Sequence, residues 1–313
     1  MSSRSARKSF FGTALKLLKL TAQQWLQDKT PQLGAALAYY TVFSLAPLIL
    51  VLLAILGVIF RDDPAGAWSK LTEQMSYFLD KSTLEAVQNI VQKASQPGKS
   101  TLATIIGIAL ALFGASGVFG QLQDALNTVW GVKAKPGLGL WGFLRTRFLS
   151  FAMVAGVCFL LLVSLTIETL LKAFSHYLQT AIPGGLTVAV SIYLVFDFAV
   201  ITTLFAMIFK ILPDVKTRWR DMWVGAVMTA VFFLIGKWAL GLYLASGKAA
   251  SAYGMAGSLI TVLLWVYYSS QILLFGAEFT QVYATEFGAR IEPDKYAVQI
   301  EHKEVELPRR PTG

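Results

Sequence analysis

A chain of 313 residues that is 55% hydrophobic and only 14% charged falls well short of the roughly 25% charge of ordinary soluble domains. That balance excludes a disordered chain, a soluble nucleic-acid binder and a coiled coil, and it leaves a net charge of +9 on a largely apolar body. One cysteine, Cys158, and two histidines, His176 and His302, exclude a disulfide framework and a cysteine-ligated metal centre. The expected class is an all-α polytopic membrane helix bundle that is not an enzyme and needs no cofactor.

In chain order, residues 1–29 read as a basic amphipathic helix. Phe11, Leu15, Leu18, Ala22 and Trp25 recur at spacings of three and four, with Lys16 and Lys19 elsewhere on the helix. Such a helix suits the plane of the membrane interface. The lack of any acidic residue before Asp28 is also the pattern of a mitochondrial transit peptide, and the interfacial helix is the favoured alternative.

Long stretches without charge follow. Thr30–Phe60, Ser100–Gln123, Phe148–Ile167 and Ala249–Ala277 carry none, while Asp197 alone interrupts Ala173–Phe209 and Lys237 alone interrupts Met222–Gly247. A helix crosses the hydrocarbon core with about 20 apolar residues, whereas barrel strands are about half that length and alternate. Six transmembrane helices are therefore expected, near 37–60, 101–123, 148–168, 187–209, 222–246 and 255–277, within a domain spanning 30–285.

Orientation follows from the basic residues. The N-terminal segment, the connections 124–147 and 210–221 and the tail together hold 19 Lys and Arg, against 7 on the opposite connections. The bias places both termini in the cytoplasm. Residues 61–100 form the largest outward loop. There Leu71, Met75, Phe78 and Leu79, then Leu84, Val87, Ile90 and Val91, suggest two short amphipathic helices. The tail 286–313 sets Pro293, Pro308 and Pro311 among charges and reads as disordered.

Several residues stand out against the apolar background. Asp197 and Lys237 are charges inside spans, where each needs a partner or a wet cavity. Counted from the inner helix ends their depths are close, so an intramembrane ion pair is expected, serving either helix register or a substrate or proton pathway. Gln123, Asp124 and Asn127 close the second span, and Gln271 and Glu278 lie on the last. They form either a polar inner vestibule or a set of helix-end hydrogen bonds. Pro47, preceded by Ser44, is expected to kink the first span. Gly107, Gly114 and Gly117 lie among the small residues that let membrane helices approach closely.

The order of these features resembles the YihY/BrkB family of bacterial inner-membrane proteins. The resemblance is carried by Ala35-Ala36-Leu37-Ala38-Tyr39-Tyr40 with Ser44 and Pro47, Leu126-Asn127 with Trp130, Leu212-Pro213, and Trp219 with Gly225-Ala226. It continues through Tyr253-Gly254, Gly257-Ser258, Leu264-Trp265-Val266-Tyr267 and Gly276-Ala277-Glu278, covering about residues 30–285. It implies a six-span protein of the bacterial inner membrane. Members are often labelled ribonuclease BN, but a metal-dependent nuclease needs clustered His and Asp ligands, and His176 and His302 are far apart with no such cluster around them. The functional expectation is a transporter or exporter of a lipid or small amphiphile, with membrane lipids as partners and no nucleic acid. The alternative is a non-transporting envelope scaffold or assembly factor.

Overall fold

The computed structural model describes residues 2–59, 117–135, 185–245, 257–288 and 291–300, with isolated positions between them. The expected outward helices of 61–100, most of the spans 101–123 and 148–168, and Gly107 and Gly114 lie outside the described residues.

Helix α1 (Ser2–Gln27) ends where Lys29 takes a left-handed backbone, φ 52°. That conformation costs an L-residue about 1–2 kcal/mol, and it turns the chain directly into α2 (Thr30–Ile59). Pro31 sits in the first turn of α2, where its missing N–H has no intrahelical acceptor to lose. The carbonyl of Lys29 accepts from Gln32 and Leu33, so the elbow is continuous with the new helix. Helix α2 runs unbroken through Pro47.

Helix α3 occupies 117–129. It stops at Trp130-Gly131, where Gly131 has φ 61°, the usual helix-ending geometry of glycine. Strand β1 (Val132–Ala134) follows. Helix α4 (Gly185–Ile211), strand β2 (Val215–Lys216) and helix α5 (Trp219–Ala245) form a hairpin closed by the Leu212-Pro213-Asp214 turn. Asp221 in the first turn of α5 complements the positive end of the helix dipole. Helix α6 (Gly257–Phe287) precedes strands β3 (Glu292–Pro293) and β4 (Ala297–Gln299).

Windows in α4, α5 and α6, namely Val190–Ile211, Trp219–Leu240 and Val262–Phe287, are long and apolar enough to cross a membrane. The expected spans 187–209 and 222–246 coincide with α4 and α5. Helix α6 instead continues well past 277. Glu278 is fully buried rather than marking an exit, and Phe279, Val282 and Tyr283 keep the helical spacing and pack on Leu17 of α1.

The tail also differs from expectation. Although 286–313 reads as disordered, residues 291–300 are ordered because two loop edges pair with them. Strand β4 runs antiparallel to β1, with Val132 opposite Gln299 and Ala134 opposite Ala297. Strand β3 runs antiparallel to β2, with Val215 opposite Pro293. Backbone bonds from Asp294 N to Asp214 O (2.9 Å) and from Ile300 N to Gly131 O (2.8 Å) tie the segment down further. The α3–β1 and α4–α5 connections therefore meet the tail at one end of the bundle.

The core lies at that same end. Leu126, Val129 and Trp130 of the α3 segment meet Phe205, Phe209 and Leu212, Met222, Ala226 and Ala230, and Leu274 and Ala277. Toward the other end, Leu194, Val195, Ile235, Trp238 and Leu242 are exposed, as an apolar solvent permits. On α1 the buried face is set by Leu17 and Thr21, not by the expected stripe. Leu15 and Ala22 of that stripe, with Leu26, face outward. Leu18 of the stripe packs beside Leu17 on the α6-facing cluster and Trp25 is half-buried, so the stripe is divided between the two sides of the helix.

Candidate functional site

Helix α6 organises the polar side chains of the bundle, and its two faces treat them differently. Against α5, contact is made by glycine and threonine in reciprocal pairs. A Cβ at Gly225 would collide with Thr280, and a Cβ at Gly276 would collide with Thr229. Each threonine hydroxyl donates to the carbonyl four residues back, Thr229 to Gly225 O (2.7 Å) and Thr280 to Gly276 O (2.6 Å). The small residues permit the close approach, and the hydroxyls need no partner across it. Gly225-Ala226 and Gly276-Ala277 are thus the two sides of one interlock.

Against α1 and α2, α6 presents larger polar groups. Glu278 is wholly buried, and its Oε1 accepts a hydrogen bond from Thr30 Oγ1 at 3.1 Å. Its Oε2 has no partner, and among the described residues no cation pairs with it. Asp28, in the elbow, is close enough for its negative charge to act on Glu278. Two turns along, Gln271 Nε2 donates to Pro31 O at 3.3 Å and its amide lies against Gly34, while its Oε1 is unpartnered. Farther along the same seam a cleft of about 320 Å³ is lined by Ala35 and Ala38 of α2 and by Ile260, Leu263, Leu264 and Tyr267 of α6. From the elbow outward, the α2/α6 seam passes from carboxyl and amide groups to walls that are mainly apolar.

The expected vestibule is therefore divided. Gln271 and Glu278 face the elbow, whereas Gln123 and Asn127 go to a loop. Gln123 Nε2 and Asn127 Nδ2 donate to Asp214 Oδ2 at 3.2 and 3.0 Å, and Asp214 N donates back to Asn127 Oδ1 at 2.8 Å. All three are buried, and the reciprocal pairing fixes the turn onto the end of α3. Asp124 is exposed and not bonded into this set. A Cβ added at Gly117 would meet Ser44 and Tyr40 of α2 only at ordinary van der Waals distance, so the approach there does not demand glycine.

Asp197 and Lys237 are both half-buried, and among the described residues no ion pair joins them; the pair within 4 Å is Lys16–Glu286, at 3.0 Å. The rings of Phe205 and Phe233 meet edge-on at 5.7 Å across the same hairpin.

The polar contacts that the sequence does not reveal are those made by Thr30 and Asp214. A threonine before proline opening an apolar run is a helix-start signal, and an aspartate after proline is a turn signal. Neither says which distant side chain it will meet.

A bundle whose long apolar helices bury carboxyl and amide groups belongs to the polytopic α-helical membrane proteins. The sequence profile of the family described as Virulence factor BrkB matches residues 21–301, and the chain belongs to that family. A UPF0761 membrane protein of Pseudomonas aeruginosa is 26% identical over 276 residues, covering 86% of this chain and 63% of its own length. One from Stenotrophomonas maltophilia is 28% identical over 81% of this chain and 57% of its own. One from Mannheimia succiniciproducens is 24% identical over 86% and 90%. The chain thus spans under two thirds of the length of the Pseudomonas relatives. No solved structure matches.

Proposed function

We propose that the protein is a six-span, N-in/C-in protein of the bacterial inner membrane that moves a lipid or small amphiphile along the α2/α6 seam. The observation that carries this reading is the polarity of the seam. Buried Glu278 and half-buried Gln271 stand at the elbow end, and the largely apolar Ala35–Tyr267 cleft continues the same interface. A ligand with a polar head and an apolar tail matches that order, and an ionisable group buried in a membrane helix is a candidate for such a path. The orientation is supported by the excess of Lys and Arg on the segments that converge at the strand-bearing end.

The second reading, a non-transporting scaffold, is favoured by the α5/α6 interlock and the strand-stitched loops, which make much of the bundle rigid. Reconstitution into vesicles containing a fluorescent phospholipid analogue, followed by chemical quenching of the outer leaflet, separates the two. Transport predicts faster loss of protected fluorescence than in protein-free vesicles. Filling the cleft with Ala38→Trp should slow it about tenfold, equivalent to roughly 1.4 kcal/mol on the barrier. Equal rates with and without protein would leave the scaffold.

A further inference from the structure

We propose that Glu278, with Thr30, forms a proton-binding site that ties the α1–α2 elbow to α6. This inference rests on the seam reading and gives it a device for opening and closing.

The geometry is that of a carboxyl built to hold a proton. Glu278 is 0% exposed, and among the described residues one oxygen is served by a single hydroxyl and the other by no donor. A buried carboxylate without a cation or several donors is costly, and such a group takes up a proton instead. The charged neighbours on the packed elements do not supply a cation. From α1 and the elbow come Asp28, whose charge is also negative, and Lys29, exposed and in the left-handed turn. Lys16 is committed to Glu286 near the end of α6. From α5 the face toward α6 offers Gly225 and Thr229, with Asp221 at its start. The described side chains of α2 contribute no acid or base other than Tyr39 and Tyr40.

The site also sits where a small change has leverage. Thr30, its one hydrogen-bond donor among the described residues, is the first residue of α2 and follows directly on the elbow. Beyond the elbow, α1 is held to α6 by Leu17 on Phe279 and Val282 and by one exposed ion pair. With the proton in place, Glu278 is neutral and the elbow closes over it. When the O–H bond breaks and the proton passes to water at the strand-bearing end, a carboxylate is left beside Asp28. Hydrating it requires the elbow to lift, which opens the polar end of the seam.

The test uses the full chain in lipid nanodiscs, with infrared titration of carboxylic-acid carbonyl bands and hydrogen exchange of peptides covering α1 and the start of α2. A protonated-carboxyl band should disappear on raising the pH and be missing from Glu278→Gln. Over the same range, wild-type elbow amides should exchange about fivefold faster than the intrinsic effect of pH predicts. In Glu278→Gln that step should vanish. No titrating band belonging to Glu278, or an unchanged exchange step in Glu278→Gln, overturns the proposal. If the variant does not fold, the wild type still decides. Infrared and exchange midpoints that differ by more than about one pH unit refute a common proton, and coincident ones support it. Neither measurement involves a transported molecule, so loss of this site leaves lipid movement to be judged separately, and the reverse.

Discussion

Helix α6 packs against α5 on one side and against α1 and α2 on the other, and the two interfaces solve the same problem in opposite ways. Toward α5, polar atoms are spent within their own helix, and glycine brings the backbones together. Toward α1 and α2, a carboxyl and an amide reach across the seam and leave oxygen atoms without partners. In a membrane, where apolar burial gives helices little reason to associate, close packing and hydrogen bonds decide adhesion. A satisfied, interlocked face is built to stay. An unsatisfied one has less to lose by parting.

The largest expected effect comes from breaking the satisfied side. Gly276→Val places side-chain atoms where Thr229 already stands. It should cost more than about 4 kcal/mol, in the range of severe overpacking, and yield no monodisperse protein in size-exclusion chromatography. Next is the loop anchor. Asp214→Ala leaves buried Gln123 and Asn127 without their shared acceptor and should cost about 2–3 kcal/mol, read as a lower midpoint in thermal unfolding. Thr30→Val then sharpens the contrast by removing only the donor to Glu278. A loss of about 1 kcal/mol is expected, visible as faster proteolysis at the elbow with α5 and α6 unchanged. The smallest effect belongs to Lys16→Ala. Its ion pair is exposed, with 61% of the lysine side chain open, and such pairs give at most about 1 kcal/mol. A shift in the unfolding midpoint as large as that of Asp214→Ala would show that α1 is held mainly by charge.

What the sequence makes legible is what depends on local pattern. Charge-free length places α4 and α5, and three-and-four spacing puts Gln123 and Asn127 on one face. Their acceptor, Asp214, is 87 positions from Asn127, and no periodicity reports a contact at that separation. The end of α6 is misplaced by charge because Glu278 reads as an exit from the membrane and is in fact buried by α2. Similar depth along two helices brings Asp197 and Lys237 near one level but does not by itself join them, and no ion pair links them among the described residues. The expected stripe on α1 is divided, with Leu15 and Ala22 outward and Leu18 packed beside Leu17 against α6. The short strands of the tail are invisible because two or three residues carry no alternation of their own, and their order comes from the edges they meet.

Those strands also impose an order of events on synthesis. Strands β1 and β2 are made long before β3 and β4, the only partners their edges have among the described residues. While α5 and α6 are being threaded into the bilayer, both loop edges remain open to other chains or to chaperones. Closure of this end therefore waits until residue 299 has left the ribosome, so it records that every helix before it has already been delivered.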